Sequence, residues 1–395
     1  MKKNLLVLTA LVLALSLLAG CASGAASKGT DTNANNSANT SKAISQVMVG
    51  ILAPLTGNVA IYGTAAKNGA VLAFDEINKN GGINGVQIKY DVLDEKGDAT
   101  EAVNAYNKLV SEKMDVLLGD VTSKPTIAVA DKAATDRMPM VTATATAPDV
   151  TTYGDNIFRA CFIDPFQGKV MATFASDNLK AKKVAIVYNV SDDYSSGAAA
   201  SFKSTAESKG MQVVAYEGYG NDDKDFKTQL TKVQQSGADA LFVPDYYNRV
   251  ALIGAQARSV GFDKPLLGTD GWDGVLKVLD KDGAKALDNC YFSNHYFSKD
   301  TDQKVVKFNE AYQAKYNEAA NSFAALGYDA AYIIANAIKT AGTTDKEAVI
   351  KALKSTSYDG VTGTIKYGNN GDPIKNVTVI KILNDDYVLE TKVSA

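Results

Sequence analysis

Gly85-Val-Gln-Ile-Lys-Tyr-Asp91, an acidic loop ending at Asp98, a helical stretch and then Val116-Leu-Leu-Gly-Asp-Val-Thr-Ser123 form a unit that occurs twice in this chain. The second copy runs Gly210-Met-Gln-Val-Val-Ala-Tyr216, an acidic loop ending at Asp225, another helical stretch, and Leu241-Phe-Val-Pro-Asp-Tyr-Tyr247. Each copy reads as a strand, a polar loop whose last Asp is placed to cap a helix, the helix, and a strand ending in polar residues. Further β-branched runs, at Val47–Ala53, Val184–Tyr188 and Pro265–Gly268, alternate with helical patterns around both copies. This alternation predicts an α/β fold with parallel central sheets covered by helices on both faces. The duplication predicts two lobes of one topology. Ligands of such sheets bind beyond the carboxyl ends of the strands. Two facing lobes therefore put Thr122-Ser123 and Tyr246-Tyr247 on opposite walls of one cleft.

Length agrees with two lobes, since the roughly 350 residues after Gln46 exceed what one hydrophobic core usually serves. Apolar residues make up 46% of the chain and charged residues 22%, ordinary for a soluble globular protein. The net charge is −3 and no basic stripe is visible, which argues against nucleic acid as a partner. The single His, His295, excludes a His-rich metal site or a second His for a catalytic triad. No P-loop, G-x-G-x-x-G after a strand, G-x-S-x-G or H-E-x-x-H occurs. Nothing in the sequence thus nominates catalytic machinery, so the expectation is that the chain is not an enzyme and carries no cofactor and no metal. The acidic loops at 94–98 and 221–225 lack the ligand register of a calcium loop and read as solvated loops with helix caps.

The amino terminus sets the address. Lys2-Lys3 and the apolar run Leu5 to Leu18 read as a secretory signal, too short for a stable membrane span. Leu18-Ala19-Gly20-Cys21 resembles the bacterial lipobox, which implies cleavage before Cys21 and lipidation of its thiol. Residues 22–45 hold no aromatic residue and one large aliphatic, Ile44, so they cannot offset their ordering entropy. They read as a tether that spans about 25–30 Å. The expected location is the extracytoplasmic face of the cell membrane, held by a lipid anchor. Beyond Cys21 only Cys161 and Cys290 remain, and they read either as buried free thiols or as a pair joining two neighbouring crossover segments. Near the carboxyl terminus, Gly363–Tyr367 and Val377–Leu383, separated by a glycine turn, read as the two arms of one hairpin.

A set of short motifs then carries a family resemblance. Ala53-Pro-Leu-Thr-Gly with Tyr62-Gly63, Asp75-Glu-Ile-Asn with Gly81-Gly-Ile-Asn-Gly, Ala143-Thr-Ala-Thr-Ala-Pro-Asp and Phe158-Arg159 come first. Gln167-Gly168, Gly268-Thr-Asp-Gly and Phe323-Ala-Ala-Leu-Gly-Tyr-Asp-Ala follow. In this order and spacing the chain resembles the solute-binding proteins of bacterial ATP-driven (ABC) importers for leucine, isoleucine and valine. The resemblance implies the type I periplasmic binding protein fold, two Rossmann-like lobes joined by three crossovers and closing by hinge motion. It divides the chain into a signal peptide (1–20), the lipidated Cys with its tether (21–45), a first lobe (46–160 with 295–357) and a second (161–294 with 358–395). It implies a monomer that captures an amino acid, branched-chain first, and delivers it to a membrane permease. A ligand sensor of the same fold, or a binder of another neutral or aromatic amino acid or small carboxylate, stays open.

The resemblance also implies roles. Ser123 aligns with the serine that binds the ligand carboxylate, and Thr146 with the threonine that touches carboxylate and ammonium. Thr144 aligns with the residue whose carbonyl accepts from the ammonium, and Asp270 with its acidic partner. Tyr62, Tyr194, Tyr246 and Phe323 align with aromatic positions around the ligand. Two departures stand out. Gly97 and Thr122 occupy the positions of a disulfide found in Gram-negative members, so that bridge is absent. Lys124-Pro125 replaces small hydroxyl residues beside Ser123. The chemistry is independently sound, because a buried zwitterion needs one carboxylate for its cation and neutral donors for its anion. Each residue also has a plainer reading: Asp270 as a turn residue, Ser123 as a helix cap, the threonines as strand residues, and the tyrosines as rim aromatics.

Overall fold

The computed structural model describes residues 44–368 and 370–394. The expected signal peptide, Cys21 and nearly all of the expected tether lie outside them. The first half builds β1 (Val47–Ala53), α1 (Ala60–Lys79), β2 (Ile88–Asp94), α2 (Ala99–Ser111), β3 (Val116–Leu118), α3 (Ser123–Thr135), β4 (Met140–Thr142) and β5 (Ile157–Arg159). These strands form one all-parallel sheet in the order β2-β1-β3-β4-β5. Chain reversal into α2 is fixed by Asp98, whose carboxylate accepts from the backbone N–H groups of Thr100 and Glu101.

The second half repeats the plan with α4 (Asp164–Asp177), β6 (Lys183–Asn189), α5 (Asp193–Ser208), β7 (Gln212–Tyr219), α6 (Lys227–Gln235), β8 (Ala240–Phe242), α7 (Tyr247–Ser259), β9 (Leu266–Gly268), α8 (Lys281–Lys285) and β10 (Cys290–Asn294). Its parallel strands run β7-β6-β8-β9-β10, the same relative order as the first sheet. The repeat seen in sequence is thus a repeat of strand order. In this copy Asp225 accepts from Lys227 N–H, but the residue directly before α6 is Phe226.

The chain crosses between the sheets three times. It leaves β5 for α4, and it leaves β10 for α9 (Gln303–Tyr316), α10 (Ser322–Ala341) and α11 (Lys346–Lys354). Helices α10 and α11 pack in the core of the first sheet, where Leu326, Ile333, Ile334 and Leu353 join Val47, Val49 and Ile51. The third crossing corrects the hairpin expectation. Two separate hairpins form, one from β11 (Ser357–Gly360) and β12 (Gly363–Lys366), the other from β13 (Val377–Ile382) and β14 (Tyr387–Val393). Ile365 and Tyr367 are buried in the first-sheet core, whereas β13 pairs antiparallel with β10 in the second sheet. The chain therefore crosses after residue 367 and not at 358. Both arms were read correctly as strands, but each has a nearer partner. No helix among the described residues is long and apolar enough to cross a membrane.

Cys161 and Cys290 are free, buried thiols. Burial pushes them up to about 12 and about 11 respectively, so neither is a reactive thiolate. The segments around them do run close, since the rings of Phe162 and His295 stack with centroids 3.5 Å apart.

Candidate functional site

Strand order reverses between β1 and β3 in the first sheet and between β6 and β8 in the second. The loop leaving β3 delivers Val121, Thr122 and Ser123. The loop leaving β4 delivers Thr144 and Thr146, and those leaving β8 and β9 deliver Tyr246 and Asp270. They meet around one small cavity between the strand ends. Seven of the eight residues expected at the ligand line it: Ser123, Thr144, Thr146, Tyr194, Tyr246, Asp270 and Phe323. Tyr62 stands one layer back, stacked on Phe323 with ring centroids 4.0 Å apart. Thr122 also lines the cavity, on the wall where the sequence put it, and so do Val121 and Gly271, which escaped the sequence reading. Their signal was adjacency to Ser123 and Asp270 in the same loops.

The hydroxyls are oriented by the backbone. Ser123 is the first residue of α3, after Thr122, and its oxygen accepts from Ala147 N–H at 3.2 Å. Its proton stays free to donate into the cavity. Thr144 donates to Val121 C=O at 2.6 Å, which leaves its oxygen as an acceptor. Lys124 and Pro125 sit within the first turn of α3, where a missing N–H is tolerated, so the departure noted in sequence leaves the turn helical.

Opposite stands Asp270, only 3% exposed. Its Oδ1 accepts from Tyr194 Oη at 2.9 Å and from Gln167 Nε2 at 3.1 Å. Its Oδ2 lies 3.2 Å from His295 Nε2, which donates to it. Burial holds His295 below its ordinary range, so the imidazole is a neutral donor. Gln167 also donates to Asp164 at 2.8 Å. Burial first, and then the nearby charge of Asp270, hold the Asp164 carboxyl well above the usual carboxylate range. Of the two acids only Asp270 lines the cavity, where a carboxylate would match one ammonium group. Gln167, Asp164 and His295 were not expected here, although Gln167-Gly168 was among the sequence landmarks and His295 is the sole His. Trp272 points away, buried in the second-lobe core with its indole donating to Val243 C=O at 2.8 Å.

Outward from Thr122 and Tyr246 a larger, solvent-open cavity continues, lined by Lys96, Lys124, Asp192, Lys224 and Arg249 among others. Small apolar-and-polar chamber within, charged mouth without, and two lobes of one topology on either side define a two-lobed ligand-binding protein. The family model described as periplasmic binding protein matches residues 46–386, and the chain belongs to that family. It is 30% identical to the leucine-, isoleucine-, valine-, threonine- and alanine-binding protein of Pseudomonas aeruginosa over 85% of this chain and 88% of that one. It is 35% identical to the Leu/Ile/Val-binding protein BraC3 of Rhizobium johnstonii over 84% of this chain and 89% of that one. Among solved structures, the leucine-binding protein LivK of Thermotoga maritima superposes with a TM-score of 0.83 at 33% identity, covering 88% of this chain and 99% of its own. LivJ of Streptococcus pneumoniae, solved with isoleucine, gives a TM-score of 0.80 at 33% identity, covering 89% of this chain and 99% of its own.

Beneath the Ser123 loop lies a pair of acids. Glu95 Oε2 accepts from the N–H groups of Gly97 and Asp98, and Asp120 Oδ1 accepts from Val121 N–H at 2.6 Å. Both side chains are fully buried and within hydrogen-bonding reach of each other, which requires a proton between them. Burial pushes Glu95 up to about 9 and Asp120 up to about 7. The folded protein keeps a proton that the unfolded chain has lost. The stabilisation from this pair is complete below the ordinary carboxyl range of about 4, falls as pH rises above it, and is fully lost once pH has passed the folded values of about 7 and about 9. Thermal midpoints should therefore decline over that window, and Glu95→Gln, which carries its own hydrogens, should flatten the decline. A variant curve parallel to the native one would remove the shared proton.

Proposed function

We propose that this chain captures an amino acid between its lobes for an ABC importer, with leucine, isoleucine and valine as first ligands. The observation that carries the reading is the pairing across one small cavity of Asp270 with the Ser123 hydroxyl. A carboxylate on one wall answers an ammonium. A free hydroxyl at a helix start on the other answers a carboxylate, which the helix dipole also favours. Phe323 and Tyr246, backed by Tyr62, give an apolar wall for the side chain. The names of the relatives at 30–35% identity support the same ligand class. We further assign Cys21 as the lipid anchor, with residues 22–45 as the tether that keeps the lobes near the permease.

Calorimetric titration of the protein with the twenty amino acids tests the ligand. One branched-chain amino acid should bind per chain and close the lobes, so small-angle scattering should show a more compact particle with ligand, and an unchanged radius with binding confirmed would count against closure. Binding of a small carboxylate with no amino acid bound would replace this reading. For the anchor, Cys21→Ala in the full chain should block lipidation and membrane partition, and unchanged partition would refute it.

A further inference from the structure

We propose that the Tyr62 hydroxyl is the latch that holds the lobes closed and thereby sets the rate of ligand release. The proposal rests on the lobe-closure reading above. Tyr62 lies on the first turn of α1, in the first lobe, and is fully buried. Its hydroxyl donates to Gly271 C=O and accepts from Tyr247 N–H at 3.0 Å, both groups of the second lobe. Tyr247 is the first residue of α7, so its N–H has no partner within the helix. One oxygen thus satisfies a donor and an acceptor across the lobe boundary, out of reach of water.

The latch is wired to the site. Gly271 N–H donates to Tyr194 Oη at 2.9 Å, and Tyr194 donates to Asp270. The Tyr62 ring stacks on Phe323 and meets Tyr246 edge-on at 5.8 Å, so it backs two walls of the cavity. A second bond across the same boundary, from Asn248 Nδ2 on α7 to Asn58 C=O just before α1, is exposed, where water replaces either partner at little cost. The buried bonds are different. In the closed form Tyr62→Phe leaves Gly271 C=O and Tyr247 N–H buried and unpaired, whereas in the open form water serves both. The substitution therefore penalises the closed form alone.

The test is stopped-flow binding and release of leucine, isoleucine and valine by native, Tyr62→Phe and Asn248→Ala proteins, with scattering radii of each ligand-free. Tyr62→Phe should release ligand about 10-fold faster or more, with the association rate within about threefold of native. Asn248→Ala should stay within about threefold in both. A misfolded fraction would lower binding capacity and leave the rates of the active molecules unchanged. Tyr247→Pro removes the N–H from the opposite lobe at a helix position that accepts proline, and is read against Tyr247→Ala, which loses the same ring 4.9 Å from that of Tyr62 but keeps the N–H. It should speed release in the same direction, and it decides the matter if Tyr62→Phe does not fold. If the native protein binds none of these amino acids, the ligand reading fails. The latch is then judged on the ligand-free radius, which should grow in Tyr62→Phe. Release rates and radii equal to native in the folded variant would overturn the latch.

Discussion

Replacing Asp270 by Ala should weaken amino-acid binding by roughly 30-fold or more. Its side chain is 3% exposed and supplies the acidic wall of the cavity. Removing one partner of such a desolvated pair costs roughly 2–5 kcal/mol, mostly because the other charge stays buried and unpaired. At ~1.4 kcal/mol per decade that is a loss of about 30-fold to several thousandfold. The substitution also strands Gln167, Tyr194 and His295, which aim hydrogen-bond donors at the missing oxygens. Asp270→Asn should cost less, since it keeps one carbonyl acceptor. The 2-keto and 2-hydroxy acids matching leucine should bind the native protein poorly, lacking the cation. Titration of native and mutant proteins with leucine and its keto acid checks all of this. Equal native affinities for the two would take Asp270 out of recognition, and the amino-acid assignment with it.

The reach of the sequence is uneven for physical reasons. The duplicated strand order was legible because period-two and period-3.6 patterns are written locally, and because Asp98 marks a helix start on its own. Ser123, Thr146 and Asp270 were nominated by the family resemblance, and all three lie just beyond strand ends, where such folds concentrate their ligands. The partner of β12 was not. Gly363–Lys366 has the same strand character whether it pairs with Ser357–Gly360 or with Val377–Ile382, and burial of Ile365 and Tyr367 against the first sheet decides it. The support of Asp270 was equally hidden. His295 comes from β10's exit and Gln167 from α4, and nothing near either residue in sequence points to position 270. Tyr62 was placed among ligand aromatics, yet its hydroxyl is spent across the lobe boundary, a pairing 209 positions away in the chain.

Gly327→Ala should destabilise the protein although Ala is the better helix former. Helices α1 and α10 touch through backbone. A Cβ at Gly327 would lie 2.1 Å from Ala66 C=O oxygen, and one at Gly69 would lie 1.9 Å from that of Ala324. No side chain can swing aside to make room, so the helices must part. The residues lining their contact, Ala66, Ala70, Ala324 and Ala331, are buried and close-packed. Overpacking of this kind costs typically 1–3 kcal/mol, and a backbone clash belongs at or above the upper end. The gain in helix propensity is only about 1 kcal/mol. The thermal midpoint should fall by about 4–10 °C, at ~2–4 °C per kcal/mol. Gly197 supplies the contrast, because it also lies inside a helix, α5, but its Cβ would meet nothing closer than Asp164 at 3.9 Å. Gly197→Ala should hold or raise the midpoint. Calorimetric melting of the two variants beside the native protein is the measurement. A Gly327→Ala protein as stable as native would mean that α1 and α10 do not meet backbone to backbone, and the placement of Tyr62 and Phe323 on those helices would have to be redrawn with them.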